Sequence, residues 1–507
     1  MKRNITYIIA FAAGIMLFGS CKKALDVNPQ NRITEDNYYK TQADAFAALV
    51  AVYDMFGYQS SGLYDKVAIM DVAGGDQVAG GGNASDINDL QVTGNFTLNS
   101  VQGPSLYLWT RGFNGAFRAN TFLQKIDGIP MDAATKARYI AEAKALRAMF
   151  YFDLVRFFKN VPLLLQPVDP TKIYDVLQAP PADVYAQVEK DLNEAIPNLP
   201  ATVPAGSEGG RITKGAAQAV LGKVLLTEGK YAPAAAQFAI VNGPTPGQAN
   251  PTYGYKLLAN YADLFLVTNK FNSESILEMV HVATSNGDWN NAGASEGNLL
   301  GVVTGIRGYT PLVAGAPDYY PGYGFLKFTK DFFALIHFDP RNSATVVNMD
   351  SLATNKIATY DPGFNPTGYY LQKYMGRQSN KATTGNMDLN FPINEYEIRL
   401  ADTYLLEAEA LLKGGGDAGR AGQLINAVRA RVGLNPVAAT MENVMKERRL
   451  ELAGEGHRFL DLVRWGTAAT ELGSKGFVPG KNEIFPIPQT ELNNTKLKQS
   501  KEYGGPL

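Results

Sequence analysis

Apolar residues recur at three- and four-residue spacings along much of the chain, which is the pattern of helices with one buried face. Prolines mark the ends of these stretches, because proline fits the first turn of a helix and stops an interior. Pro162 follows one stretch, and Pro180 and Pro181 open another. The pattern predicts helices over 43–55, 105–126, 133–158 and 182–195.

Two further stretches read as helix, tight turn and helix, with small residues where the two helices would touch. They cover 214–238 near the middle of the chain and 398–432 near its end. Each resembles a tetratricopeptide unit. The segment 242–394 between them breaks the helical period, and only 275–282 and 368–374 read as strands. A long irregular region on a helical frame usually carries the recognition surface, and its density of Tyr, Phe and Trp argues against a flexible linker.

The stretch 71–99 is rich in Gly, Asn, Asp and Ser, and we expect a loop there that is either functional or disordered. Its glycines run from Gly74 to Gly82. They lack the Gly-Lys-Ser/Thr ending of a phosphate loop and the GxGxxG order of a dinucleotide site. Nucleotide binding is therefore not indicated.

The first twenty residues do not belong to the fold. Lys2 and Arg3 precede an apolar run over 5–18 that is too short to span a bilayer, which is typical of a secretion signal. Cys21, the single cysteine of the chain, follows directly. Its position resembles the processing site of a bacterial lipoprotein, so we expect lipidation there. The alternative is a plain signal peptide with an incidental thiol.

Composition narrows the class of ligand. The chain has 47 Lys and Arg against 48 Asp and Glu, without a basic block, which disfavours a nucleic-acid partner. Aromatic residues make up 11% and charged residues only 19%, a balance that suits polar, uncharged ligands. The three histidines show no HExxH spacing, and we expect neither a catalytic site nor a cofactor. Metal binding is undetermined, although no DxDxDG loop occurs.

The densest motif lies at 447–465. Glu447, Glu451 and Glu455 fall at helical spacing on one face and would repel unless cations neutralise them. One interpretation is a catalytic cluster with His457 as base. We favour a structural ion-pair network that locks two helices across 454–456, because the same segment carries many core-type residues. The candidate cations are Arg448, Arg458 and Arg464.

A series of motifs resembles the SusD/RagB family of nutrient-binding outer-membrane lipoproteins. The likeness covers most of the chain, and the order and spacing of the motifs are more specific than any one of them. The motifs lie at 25–29, 118–122, 141–155, 211–219, 272–276, 339–341, 447–465 and 485–492.

The resemblance implies a mainly α fold of tetratricopeptide-like helix pairs with an irregular, loop-rich ligand-binding insertion. It also implies an oligosaccharide-binding lid on a SusC-like TonB-dependent transporter, without enzymatic activity, anchored in the outer membrane through Cys21 and facing the cell surface. Lys22 and Lys23 stand where surface-exposed members often carry acidic residues. A peptide-binding lid of the same type and a protein-interaction scaffold are the alternatives. A glycosidase needs only two close carboxylates, which a chain with 48 acidic residues does not exclude, but it ranks last because no motif pairs a particular acid with a particular base.

The resemblance places the ligand site on the loops after the first helices and on the insertion. A sugar offers an apolar face and a rim of hydroxyls, so flat aromatic rings and amide or carboxylate groups suit it. Trp289 has polar neighbours, as in an exposed loop, whereas Trp109 and Trp465 fit the core. Tyr319 and Tyr320 could instead contact the transporter. The candidate ligand-binding residues are Asp71, Asp76, Gln77, Asn83, Trp289, Asn290, Tyr309, Tyr319, Tyr320 and Tyr323.

The predicted division of the chain follows from these patterns. It consists of a signal peptide (1–20), an anchor with an extended lead (21–40), an N-terminal helical part (41–241), the ligand-binding insertion (242–394) and a C-terminal helical part (395–507).

Overall fold

The structure is a computed structural model that describes residues 38–59, 65–284, 287–289 and 295–507. The signal segment, Cys21, the motif at 25–29 and Asn290 lie outside the described residues. The chain is mainly helical with few short strands, which confirms the predicted fold class. Within the described ranges, none of the helices has the length and apolar character needed to cross a bilayer.

The helices and strands are numbered in chain order. The helices are α1 Gln42–Phe56, α2 Lys66–Gly74, α3 Asn88–Gly94, α4 Ser105–Lys125, α5 Ala133–Phe158, α6 Pro181–Ala195, α7 Ala205–Glu208, α8 Lys214–Thr227, α9 Tyr231–Asn242, α10 Leu300–Val303, α11 Lys330–Ile336, α12 Asn342–Thr345, α13 Met349–Thr354, α14 Leu400–Lys413, α15 Ala418–Arg431, α16 Met441–Glu451, α17 Arg458–Trp465, α18 Ala468–Leu472 and α19 Gln489–Leu492. The strands are β1 Gln77–Gly80, β2 Ser275–Met279, β3 Thr310–Pro311, β4 Phe325–Phe328, β5 Val346–Asn348, β6 Ala358–Thr359, β7 Tyr369–Leu371 and β8 Glu395–Arg399. The strands pair antiparallel as β1 with β4, β2 with β8, β3 with β6 and β5 with β7.

Capping side chains set the starts of the predicted helices. Thr41 and Asp44 form a capping box at α1, in which the Asp44 carboxylate accepts from the Thr41 backbone N–H at 2.8 Å. The Asp132 carboxylate accepts from the Thr135 N–H at 2.8 Å, and α5 spans 133–158 as predicted. The helices predicted over 43–55, 105–126 and 182–195 are confirmed with ends shifted by one residue at most.

The loop predicted over 71–99 is wrong in part. This stretch contains the end of α2, strand β1 and helix α3. Every residue of α2 is buried, so the helix has no polar face that would reveal its period in the sequence. Strand β1 has four residues and α3 has seven, too few for a clear pattern.

The predicted helix start at Ile398 is also wrong, because Ile398 and Arg399 end strand β8.

Both predicted helix pairs belong to one stack. α4 packs on α5, α5 on α6, and α8 on α9, while α14 packs on α15. Contact between α9 and α14 joins the N-terminal pairs to the C-terminal pair. One cluster of buried apolar residues runs through both parts and includes Trp109, as predicted, whereas Trp465 is half-buried at its edge.

Glycines allow α4 to approach α5 closely. A Cβ on Gly115 would lie 2.4 Å from the ring of Phe150, which is itself fully buried. We expect Gly115→Ala to lower the free energy of unfolding by about 2 kcal/mol, since overpacking exceeds the helix propensity that alanine adds. Gly128→Ala is the control, because a Cβ there meets no atom within 4 Å. Chemical denaturation measures both, and equal midpoints would contradict the close packing.

The motif at 447–465 forms a buried ion-pair network, as predicted. Glu451 accepts from Arg399 at 2.6 Å, from Arg341 at 2.9 Å and from Arg431. Although burial opposes ionisation, these three guanidinium groups hold the pKa of Glu451 well below its usual range. Glu455 binds Arg399 and Lys373 at 2.8 and 2.7 Å.

The prediction that Arg448, Arg458 or Arg464 neutralises these three glutamates is wrong. Arg448 binds Asp402 and Asp461 at 2.7 Å each, and Arg464 also binds Asp461. Arg458 binds Glu471 at 2.8 Å. Helix α16 ends at Glu451, so Glu455 lies in the following turn, and the acids face β8, α15 and the 339–341 turn instead of their sequence neighbours.

Candidate functional site

Trp289 projects from a loop whose base is very tight. Its side chain is 40% exposed. A Cβ on Gly287 would lie 2.6 Å from the backbone N of Ser295, so the two ends of the loop touch and only glycine fits. The Gly287 carbonyl also accepts from the Asn386 N–H at 3.0 Å. The loop base is therefore fixed to the segment 386–391, and the indole is presented to solvent.

The same segment carries Asp388, which binds two tyrosines. The hydroxyl groups of Tyr320 and Tyr323 donate to the two carboxylate oxygens of Asp388 at 2.9 and 3.1 Å. Burial and the Asp388 hydrogen bond raise the pKa of Tyr320 to about 12, and burial with the Asp388 charge raises that of Tyr323 as well. Both rings are half-buried. Trp289, the two tyrosines and Asp388 thus share one supporting segment, and we define them as the aromatic face.

Tyr309 and Tyr319 are not part of this surface. Their exposed fractions are 4% and 6%, and their rings pack edge to face at 5.4 Å. The Tyr309 hydroxyl donates to the Pro317 carbonyl at 2.5 Å, and the Arg377 guanidinium lies 4.5 Å from the Tyr319 ring centre. Both tyrosines belong to a small second core of the described residues.

The predicted acidic and amide residues of 71–83 also serve mainly internal contacts. The Asp71 carboxylate is buried and accepts from the Gly456 N–H at 2.8 Å. Asp76 binds Arg449 through both oxygens, at 2.9 and 2.6 Å. Gln77 is buried in β1 and donates to the Leu326 carbonyl at 2.7 Å. Of the four predicted residues, Asn83 alone is exposed.

A cleft of about 500 Å³ lies between α1 with the residues after it and the stretches 278–282 and 295–299. Its described lining carries the carboxylates of Asp54, Glu278 and Glu296 and neither Lys nor Arg. Tyr58 forms part of one wall and stacks on Tyr107 at 5.9 Å. Val282 and Ser295, which flank Trp289 in the sequence, line the cleft, whereas Trp289 itself does not.

Sequence reasoning missed Tyr58, Gln59, Asn298 and Asp388. Gln59 hydrogen-bonds Asn298 and Glu395, which are 239 and 336 residues away in the chain. Such long-range partners leave no local pattern. The Asn-Met-Asp-Leu-Asn run at 386–390 is the one signal available, because amide and carboxylate groups of this kind suit hydroxyl-rich ligands.

A second cavity of about 540 Å³ lies beside the ion-pair network. Its charged lining residues Lys66, Lys223, Arg448 and Arg464 each bind a carboxylate. Burial lowers the pKa of His457, which also lines it, to about 4. Within the described ranges, no group of three or more His, Cys, Asp and Glu side chains is arranged to hold a metal ion. The aromatic face and its cleft remain the better candidate.

Comparisons with known proteins agree with this fold. The SusD family model matches residues 339–503, and a model described as "Starch-binding associating with outer membrane" matches 25–226. SusD-like protein P25 of Formosa agariphila is 26% identical over 96% of this chain and 97% of its own length.

Two solved structures are also similar. One is described as a laminarin-binding SusD-like protein, with 47% identity, a TM-score of 0.87, and coverage of 91% of this chain and 99% of the other. Surface glycan-binding protein A from Bacteroides thetaiotaomicron, solved with laminarihexaose, is 25% identical with a TM-score of 0.77, covering 90% and 98%.

The stack of helix pairs defines a tetratricopeptide-like helical protein. The chain belongs to the SusD/RagB family. The two similar solved proteins are described as laminarin-binding and surface glycan-binding, and one of the two matching family models is described as starch-binding and associating with the outer membrane.

Proposed function

We propose that this protein captures oligosaccharide at the outer membrane and passes it to a SusC-like TonB-dependent transporter. The exposed Trp289 on its tight loop is the observation that carries the proposal. An indole face held toward solvent covers the C–H face of a sugar ring, while Asp388 and the tyrosine hydroxyls supply polar partners for the rim.

The ligand we propose is a glucan of the laminarin type. Two similar solved proteins are described with laminarin or laminarihexaose. A neutral glucan also suits this aromatic face. The hydroxyl groups of Tyr320 and Tyr323 and the Asp388 carboxylate already bind one another, so we expect contacts to the ligand that are weak and numerous rather than ionic. Neither the arrangement of the site nor the descriptions of the relatives supports turnover.

The location is part of the proposal. Cys21 would carry the acyl chains, and several chains give stable anchoring. Protease treatment of intact cells tests the outward-facing side: loss of the protein before lysis supports surface display, and survival until lysis contradicts it.

Calorimetry tests the proposed ligand. Purified protein is titrated with laminarin oligosaccharides, starch oligosaccharides and a peptide mixture, and the glucans are analysed afterwards for hydrolysis. We expect binding of the laminarin oligosaccharides without cleavage, and co-purification of a TonB-dependent transporter from native membranes. Binding of peptides alone would show that the ligand is a peptide instead of a glucan. Release of shorter glucans would contradict a purely binding role.

A further inference from the structure

The Gln59 side chain lies where three distant segments meet below the cleft. Its carbonyl oxygen accepts from the Leu299 backbone N–H at 2.7 Å, which fixes the orientation of the amide. The amide nitrogen therefore points at three oxygens. They belong to Glu395 at 2.9 Å, Asn298 at 3.0 Å and Asp65 at 3.1 Å.

The hydrogen count of this cluster does not balance. An amide nitrogen carries two hydrogens, yet three acceptors face it. The Asn298 oxygen is a true acceptor, because it also accepts from the Leu300 N–H while its own amide donates to the Ile393 carbonyl. Asp65 has its other oxygen committed to the Val67 and Ala68 N–H groups at the start of α2. One more hydrogen is needed.

Glu395 and His281 show where that hydrogen belongs. Among the described residues, the second oxygen of Glu395 and the Nε2 atom of His281 are buried without a hydrogen-bond partner, and Nε2 lies 3.4 Å from the first Glu395 oxygen. Burial lowers the pKa of His281 to about 4, so the ring is neutral in ordinary buffers. The His281 ring is hydrogen-bonded to the Gly297 backbone, so Nδ1 carries the ring hydrogen and Nε2 can only accept. A proton on the Glu395 oxygen that faces Nε2 leaves the two amide hydrogens of Gln59 for Asp65 and Asn298, and it removes one of the two buried charges.

The surroundings do not neutralise the acid pair. Burial raises the pKa of Asp65 to about 7, helped by the charge of Glu395, and burial raises that of Glu395 to about 7. Lys66 is committed to Asp153 and Glu397, and Arg111 to Asp153. The other titratable groups that act on the cluster are Asp71 of α2, Tyr107 of α4, Lys270 before β2, Glu296 of the cleft, Tyr374 after β7 and Glu397 of β8.

We propose that Gln59 is a positioning residue of the glycan site and that the Asp65–Glu395 pair around it must keep a proton for the site to hold its ligand-binding form. The inference rests on the proposed function. Gln59 ties the residues after α1 to Leu299, and both Gln59 and Leu299 line the cleft, while Asp65 and Glu395 hold the Gln59 amide from behind this lining. Loss of the proton leaves two negative charges against one amide, and their repulsion displaces Gln59 and the cleft wall that it holds.

The direction of the pH effect follows from the raised pKa values. The contribution of the pair to stability is fully present below about pH 4, and it is lost as the pH rises through about 7. A neutral glucan has no group that titrates in this range. At pH 8.0, one unit above this pKa, the protonated form of the pair is outnumbered about tenfold. We therefore expect laminarin oligosaccharide to bind about ten times more weakly at pH 8.0 than at pH 5.5.

Glu395→Gln separates this proton from other titrations. Glutamine has the same shape, keeps an oxygen for Gln59 and carries fixed N–H groups, so it mimics the protonated acid. We expect its affinity at pH 8.0 to stay within about twofold of its affinity at pH 5.5. Glu442→Gln is the matched control, because it removes an exposed carboxylate of α16 that belongs neither to the cluster nor to the cleft, and it should keep the wild-type tenfold loss. Asp65→Asn removes the other acid of the pair and serves if Glu395→Gln does not fold.

Two results would overturn the proposal: equal wild-type affinity at both pH values, or the same tenfold loss in Glu395→Gln and Asp65→Asn as in the wild type. Thermal unfolding without ligand tests the proton independently of glycan binding. The wild-type Tm should fall between pH 5.5 and 8.0 by more than that of Glu395→Gln. If this difference appears but no glycan binds at either pH, the proposed function fails and the shared proton stands. Equal falls in Tm would reject the proton itself.

Discussion

Trp289→Ala is expected to weaken the binding of laminarin oligosaccharide by about thirtyfold, which is the loss of about 2 kcal/mol typical of an aromatic hot spot. The indole is 40% exposed, so part of it is available for a sugar to cover. Gly287, at the base of the loop, packs closely against Ser295. Calorimetry at one pH measures the change.

Phe338→Ala is the control for this experiment. Phe338 is the more exposed ring, at 91%, and it lies just beyond the end of α11, where the described contacts place it against His337 instead of the 282–299 segment. We expect wild-type affinity for this variant. Unchanged affinity in Trp289→Ala would contradict the proposal that the aromatic face binds the ligand. An equal loss in both variants would point to ligand contacts spread over exposed rings in general.

The sequence predicts the helical frame well, because period and caps are local features. Helix α5 is an example: Asp132 caps it, its apolar positions repeat over seven turns, and the structure gives the predicted limits. The sequence does not predict helix α2, for a physical reason. Its residues 66–74 are all buried, so the alternation of polar and apolar positions that reveals a surface helix is missing.

The candidate site is predicted less well, because the direction of a side chain is decided by partners far away in the chain. The polar neighbours of Trp289 indicate an exposed loop, and the exposed indole agrees. Asp71 and Gln77 lie in an equally polar stretch, yet Gly456 and the Leu326 carbonyl bind them internally. The partner of Asp388 is a pair of tyrosines more than sixty residues earlier, which no spacing rule connects.

The second large effect is expected for stability, in Arg399→Met. All five N–H groups of Arg399 are used: two go to Glu455, one each to Glu274 and the Glu451 carboxylate, and one to the Glu451 carbonyl. Methionine leaves three buried carboxylates with fewer cations. Removing one partner of a buried ion pair typically costs about 3–5 kcal/mol, so we expect a loss of this size in the free energy of unfolding. Chemical denaturation with linear extrapolation measures it.

Arg399→Lys and Arg307→Met define what the network contributes. Lysine keeps the positive charge but has three donors at a point instead of a planar fork, so an intermediate loss would show that geometry matters beside charge. Arg307 pairs with Asp361 at 2.9 Å on the surface, and its loss should change stability by less than about 1 kcal/mol. If Arg399→Met were as stable as Arg307→Met, the acids of α16 and the following turn would have to be neutralised by Arg341, Arg431 and Lys373 alone. The network would then join the helix stack to β8 without stabilising it.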